Sequence, residues 1–190
     1  MLFGDGTAYY YGKIFTIAES DGYFHALSQN IPWKNDEIII FGKHIITKRK
    51  TAWYGDSNYL YIYSNMLKQA LPWSRELASL KQIVENLVNI KFNSCLLNLY
   101  HDGNEGLGWH SDSEKSIQEN SPIASVSFGA QRKFSFKHKQ SRKTISIQLE
   151  HGSLLLMKDT TQRNWLHCLP KSKTITEPRI NLTFRQMIPT

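Results

Sequence analysis

Arg179-Ile180-Asn181-Leu182-Thr183-Phe184-Arg185 is the stretch whose reading decides the fold. Polar and apolar residues alternate along it, the signature of a strand with Ile180, Leu182 and Phe184 on one face and Arg179, Asn181, Thr183 and Arg185 on the other. An ordinary amphipathic strand turns such a polar face to water; two guanidiniums on one face can equally grip a small dicarboxylate through paired hydrogen bonds. His167 lies twelve residues upstream, close enough for a neighbouring strand. Far before both stands His110-Ser111-Asp112. In extended chain, residues two apart share a face, so His110 and Asp112 can offer an imidazole and a carboxylate to one ion, with His167 supplying a third ligand from a return strand. Two histidines and a carboxylate on one side of an octahedron suit non-haem Fe(II) that must also bind O2 and a co-substrate. A lone His-x-Asp is weak in a chain with seven histidines; the combination carries the weight.

Working outward, Phe92 to Tyr100 alternates so that Asn98 and Tyr100 point together, each able to donate to a carboxylate. The loop His101 to Gly108 holds three glycines and fits a sharp, irregular approach to His110. Ile123–Phe128, Lys133–Lys137, Thr144–Leu149 and Ser153–Met157 read as further strands, with His151-Gly152 turning between the last two. The clearest helix opens at Pro72-Trp73-Ser74 and repeats Leu77, Leu80, Val84, Leu87 and Val88 at helical spacing, a core stripe. Earlier, Tyr9 to Ile17 reads as a strand, Ser20 or Asp21 as the cap of a short helix through Leu27, and Glu37 to Phe41 as a strand stopping at Gly42. Many short strands without βαβ alternation predict a mostly β fold with flanking helices (α+β), a double-stranded β-helix or jelly roll.

The 190 residues have room for one domain with a substantial core, and neither repeat nor low-complexity linker suggests a second. A formal charge of +7 favours a polyanionic partner without identifying one. Two cysteines, Cys95 and Cys168, are too few for a disulfide framework and form no CxxC pair, so a reducing compartment is expected and Cys168 reads as a packed thiol. The N-terminus lacks the basic and apolar regions of a secretory leader, and no stretch is long enough to span a bilayer. A soluble intracellular protein, cytoplasmic or nuclear, is the expectation. Lys48-Arg49-Lys50 reads as a solvated basic run or a phosphate contact.

Taken together, Asn98-Leu99-Tyr100, His110-Ser111-Asp112, Ser121 to Ala130, His151 to Leu155, His167 and Pro178 to Arg185 resemble the AlkB family of Fe(II)- and 2-oxoglutarate-dependent nucleic-acid dealkylases. Ile40-Phe41-Gly42-Lys43 and Tyr54-Gly55-Asp56 are similar to the branch that repairs double-stranded DNA. The resemblance runs from about Ile31 to Met187. It implies a DNA oxidative demethylase that removes N-alkyl lesions of the 1-methyladenine and 3-methylcytosine type, releasing formaldehyde and succinate. The alternative is a related oxygenase acting on single-stranded RNA or DNA, or on protein. Fe(II) would be held by His110, Asp112 and His167, and 2-oxoglutarate by Asn98, Tyr100, Arg179, Asn181, Thr183 and Arg185, with Arg185 on its distal carboxylate and O2 as second co-substrate. Substrate contacts are implied at the wedge Phe41-Gly42 with Lys43, at the lid Tyr61 and Tyr63, at Ser113 and Glu114, and at Arg142 in a basic loop shorter than the branch pattern. No catalytic residue beyond the metal ligands is expected. Along the chain this means an N-terminal extension (1–30), a nucleotide-recognition lid with its supporting helix (31–90) and a catalytic jelly roll (91–187). The expected partner is alkylated DNA, gripped by a monomer, with no membrane.

Overall fold

The computed structural model describes residues 5–40, 43–57, 59–63 and 66–188, with the backbone alone at 38–40, 43–44, 60–63 and 66–68. Thirteen strands and three helices follow one another as β1 (Thr7–Lys13), α1 (Ile17–Asn30), β2 (Lys34–Ile40), β3 (Lys43–Gly55), β4 (Leu60–Tyr63), β5 (Met66–Gln69), α2 (Arg75–Val88), β6 (Ser94–Tyr100), β7 (Leu107–His110), β8 (Ile123–Gly129), β9 (Arg132–His138), β10 (Thr144–Leu149), β11 (Ser153–Lys158), α3 (Thr161–Asn164), β12 (Trp165–Leu169) and β13 (Arg179–Arg185). A seven-stranded sheet runs β1-β11-β8-β13-β6-β3-β2, a four-stranded sheet β10-β9-β12-β7, and β4 pairs with β5 alone. Strands distant in sequence interleave in both larger sheets, as expected of a jelly roll. β1 closes the edge of the large sheet against β11, so the first thirty residues contribute to its framework.

The two faces of the large sheet are covered differently. On one, α1 and α2 pack Leu27, Leu77, Leu80 and Val84 against Leu97, Val126, Phe128, Ile180, Leu182 and Phe184, all 1% exposed or less. Each such side chain contributes roughly 1.5–3 kcal/mol relative to exposure. α2 begins at the expected Ser74 cap, whose hydroxyl accepts the Leu77 N–H. The cap of α1 is Thr16 rather than Ser20 or Asp21: Thr16 and Glu19 form a reciprocal capping box, and Ser20 lies inside the helix, buried. On the other face, Tyr100, Ile123, Leu155 and Met157 meet Phe134, Phe136, Leu149, Trp165 and Leu169 of the small sheet and its flanks. Beyond this layer the sheets enclose a cavity of about 560 Å³. The polar face of β13 therefore does not meet water: Arg179, Asn181 and Thr183 are buried and, with Arg185, line the cavity.

The loop between β6 and β7 needs its glycines. A Cβ at Gly103 would come within 2.2 Å of the Ser172 carbonyl, and one at Gly106 within 2.5 Å of the Leu169 carbonyl. Arg132, 1% exposed, fastens the same loop by donating to the carbonyls of Asp102, Glu105 and Pro170. One guanidinium thus joins the loop that leads to His110 to the end of the strand that carries His167. Among the described residues no helix is long and apolar enough to cross a membrane.

Candidate active site

The three expected ligands meet because β7 and β12 are neighbours, with His110 directly opposite His167 in the register. Asp112 follows two residues later, and one ligand atom from each of the three lies within 4.8 Å of the others. The Nε2 atoms of His110 and His167 stand 3.8 and 3.9 Å from the same Asp112 oxygen, Oδ1. His110 Nδ1 lies 2.8 Å from the Gly108 carbonyl, which fixes the proton there and leaves Nε2 free to ligate. Burial and the neighbouring His110 push the pKa of His167 down to about 3, so its imidazole is neutral at pH 7. For Asp112, burial acts upward, but Arg185, then the two imidazoles, outweigh it and hold the carboxyl at about 2. The neutral His167 imidazole, the His110 Nε2 and an ionised carboxylate with one oxygen turned toward both rings form a donor set that fits a divalent ion, and closing onto it would shorten these separations.

Supporting groups surround the triad. Arg185 donates from Nε and a terminal nitrogen to Asp112 Oδ2, at 3.1 and 2.8 Å. The Asp112 N–H donates to Gln162 Oε1 at 3.0 Å, and Lys139 donates to the Gln162 carbonyl and the Ser111 hydroxyl. Phe134 stacks on His167 with centroids 5.4 Å apart. Gln162 and Lys139 went unnoticed in the sequence, since a polar residue on a four-residue helix and one lysine in a basic run carry no spacing signal.

Away from the triad, β13 lies between β8 and β6, pairing Asn181 with Ser127 and Asn98, and Arg179 with Gly129 and Tyr100. Asn181 Nδ2 donates to the Ser125 hydroxyl and the Val126 carbonyl while Oδ1 accepts from Thr183, so this amide is committed to bracing the wall. Asn98, Tyr100, Arg179, Asn181 and Thr183 line one cavity with the triad. Arg179, 2% exposed, donates to the Ser127 hydroxyl at 2.9 Å and lies 5.5 Å from the Tyr100 ring centroid, while its Nε–H has no partner. Burial, with Arg132 nearby, lowers its pKa to about 10, which leaves it charged at pH 7. Arg185, expected on the distal carboxylate, is held at Asp112, and Arg179 stands with an unpaired Nε–H at the other end of the strand.

Of the expected substrate contacts, Glu114 lines the cavity with one buried oxygen, Oε2, unpartnered. Ser113 is exposed, 3.4 Å from the Ser111 hydroxyl. Arg142 occupies the short turn between β9 and β10 with φ +61° and is exposed. Phe41 and Gly42 lie outside the described residues, as do the side chains of Lys43, Tyr61 and Tyr63. Tyr59, just before them, packs against Trp53 in a small core cluster. Arg49 is not solvated: it is buried, bonded to Asp36, and lines the cavity. Cys168 is buried.

The sequence pattern of the "2OG-Fe(II) oxygenase superfamily" matches residues 7–185. The chain is 38% identical to the DNA oxidative demethylase ALKBH2 of Mus musculus over 200 residues, spanning 100% of this chain and 84% of that protein. With its Homo sapiens counterpart the identity is 37%, over 94% of this chain and 72% of that protein. The solved structure of OsALKBH1 shares the fold, with a TM-score of 0.66 at 16% identity, covering 98% of this chain and all of the other. With the superfamily's pattern running almost from end to end and relatives near 38% identity aligned along the whole length, the chain belongs to the 2OG-Fe(II) oxygenase superfamily, in its AlkB family and like ALKBH2 within it.

Proposed function

We propose that this chain is a DNA repair oxidative demethylase, removing N-alkyl groups of the 1-methyladenine and 3-methylcytosine type. The observation that carries the reading is the single cavity in which a His-Asp-His triad faces a buried arginine whose Nε–H is unpaired. The family works with Fe(II), 2-oxoglutarate and O2. When bound, the metal and co-substrates supply oxidation of the alkyl carbon, with 2-oxoglutarate ending as succinate and CO2; the resulting hemiaminal releases formaldehyde.

His110, Asp112 and His167 hold the metal, and Arg185 and Gln162 fix Asp112. Arg179 takes the distal carboxylate of 2-oxoglutarate with Tyr100 and Asn98 beside it, while Asn181 and Thr183 keep that wall rigid. Phe134, Ile117 and Met187 line the cavity and limit water around the reacting carbon. Glu114 accepts a hydrogen bond from an exocyclic amine of the flipped base, with Ser113 at the rim. Phe41-Gly42 acts as the wedge, Lys43 and Arg142 as phosphate contacts, and Tyr61 and Tyr63 as the lid within residues 31–90, over the catalytic core 91–187. The protein acts inside the cell as a monomer.

Only five residues, 139–143, join β9 to β10, which favours a light grip on the second strand and hence activity on single strands too. The test is mass spectrometry of an oligonucleotide carrying one 1-methyladenine, single-stranded and annealed, with Fe(II), ascorbate and 2-oxoglutarate beside a His110→Ala control. Loss of one methyl group in either form, absent in the control, is expected. Succinate formation without methyl loss would remove DNA as the substrate, and neither product would sink the oxygenase reading.

A further inference from the structure

Arg49 and Asp36 form a buried ion pair in the wall of the active-site cavity. They are 8% and 2% exposed, and both line the space that holds the triad. The pairing of β2 with β3 is irregular just here: Asn35 lies opposite Lys50, but Glu37 opposite Ile46. One residue of β2, Asp36, therefore faces three of β3, Thr47 to Arg49. A bulge of this kind re-aims a side chain, and here Arg49 bonds to Asp36 Oδ2.

Burying two charges costs several kcal/mol per ion, and a pair alone often fails to recover it, so an ion pair inside a reaction cavity calls for a use beyond stability. Its neighbours indicate the use. Arg49 stands at the register position beside Tyr100, both side chains line the cavity, and the Tyr100 ring centroid lies 5.5 Å from the Arg179 guanidinium. The three residues occupy adjacent strands in one row of the large sheet, since Lys50 pairs with Leu99 and Tyr100 with Arg179. Asp36, Arg49, Tyr100 and Arg179 thus form a continuous row of cavity-lining side chains from the edge strand β2 to β13.

We propose that Arg49, held by Asp36, is a positioning residue for the Tyr100 phenol and through it sets the affinity for 2-oxoglutarate. A phenol can rotate its hydroxyl freely; a guanidinium anchored by a carboxylate supplies a donor from one fixed side, so the phenolic oxygen accepts from Arg49 and its proton is directed to the co-substrate. A lysine can offer the charge but not the two-sided fork that reaches Asp36 and Tyr100 together. The inference rests on the reading of this end of the cavity as the 2-oxoglutarate site.

The experiment is anaerobic titration of 2-oxoglutarate into metal-loaded protein, followed by tryptophan fluorescence, since Trp53 lines the cavity. Wild type is compared with Arg49→Met, Arg49→Lys, Asp36→Asn, Tyr100→Phe and the double variant Arg49→Met/Tyr100→Phe, each checked for folding by circular dichroism. Arg49→Met should weaken binding about tenfold, the scale of one lost hydrogen bond to a buried group. Arg49→Lys and Asp36→Asn should fall between it and wild type. In the Tyr100→Phe background the Arg49 substitution should change affinity less than about twofold, because the group through which it acts is gone. Equal effects in both backgrounds would overturn the proposal. So would unchanged 2-oxoglutarate affinity with a raised KM for the oligonucleotide, which would make Arg49 a substrate contact. Wild type that binds no 2-oxoglutarate would instead sink the co-substrate reading itself, whereas a binding wild type with variants that bind equally well overturns only the role of Arg49.

Discussion

At one end of the polar face of β13, Arg185 donates two hydrogen bonds to Asp112; six residues away, Arg179 donates one to a serine and leaves its Nε–H unmatched. Arg179 is buried and Arg185 largely so, and both line one cavity. The ion pair keeps Arg185 firmly protonated: burial acts to lower its pKa, and Asp112, followed by Glu114, overrides this and raises it. Arg179 has no carboxylate partner among the described residues and its pKa falls. The same residue type is a counter-ion in one place and carries an unpaired buried N–H in the other. A strand repeating at two residues spans about 20 Å over six steps, long enough to give each end its own ligand.

The largest effect should come from breaking the metal end. Asp112→Ala removes a ligand and leaves Arg185 buried without its partner, so turnover of the methylated oligonucleotide should drop below detection, on the order of a thousandfold or more, and the metal should be lost on dialysis. Next comes the Arg179 end. Arg179→Met should leave metal binding intact but raise the KM for 2-oxoglutarate about a hundredfold, within the 2–5 kcal/mol that removing one member of a buried charge pair costs. Activity with unchanged KM would refute the assignment of Arg179 as the carboxylate receptor.

How far these roles were legible from the sequence follows from what pattern can encode. The alternation of Arg179 to Arg185 defined the strand and both faces because a period of two is a local property. His110, Asp112 and His167 were recoverable because two of them share a tripeptide and the third precedes the same strand. Which arginine meets Asp112 was not legible: it depends on β7 and β12 bringing Asp112 beside the C-terminal end of β13, a long-range pairing that spacing along the chain does not record. Arg49 was misread for a related reason. Between two lysines it looks like a solvated run, and only the bulge opposite Asp36 turns it inward.

A third substitution sharpens the contrast. Arg185→Met keeps all three metal ligands but removes the group that holds Asp112 Oδ2. Outer partners of metal ligands typically contribute 10–100-fold in affinity, so the metal dissociation constant should rise by about that factor while the affinity for 2-oxoglutarate, measured at saturating metal, changes less than about threefold. If Arg185→Met and Arg179→Met shift the same constant, the two ends are not functionally separate.

The smallest effect expected is on stability, and it too should come from one end only. In metal-free protein, His167 stays neutral down to about pH 3, whereas in the unfolded chain it takes up a proton near its ordinary value of 6.5. Below pH 6.5 the unfolded state binds the additional proton, so stability present above that pH is lost progressively as the pH falls toward 3. Between pH 6.5 and 5 the loss should be roughly 2 kcal/mol, from about 1.4 kcal/mol per unit. Asp112 adds nothing in that interval, because its carboxyl is ionised in both states until the pH falls below 3.8, and its own contribution disappears between there and about 2. Neither Arg179 nor Arg185 changes protonation anywhere in this range. Urea midpoints of metal-free protein at pH 7 and pH 5 should therefore differ, and His167→Gln should remove most of the difference while Arg179→Met leaves it in place. A slope that survives His167→Gln would mean that the metal end is not where the acid sensitivity lies.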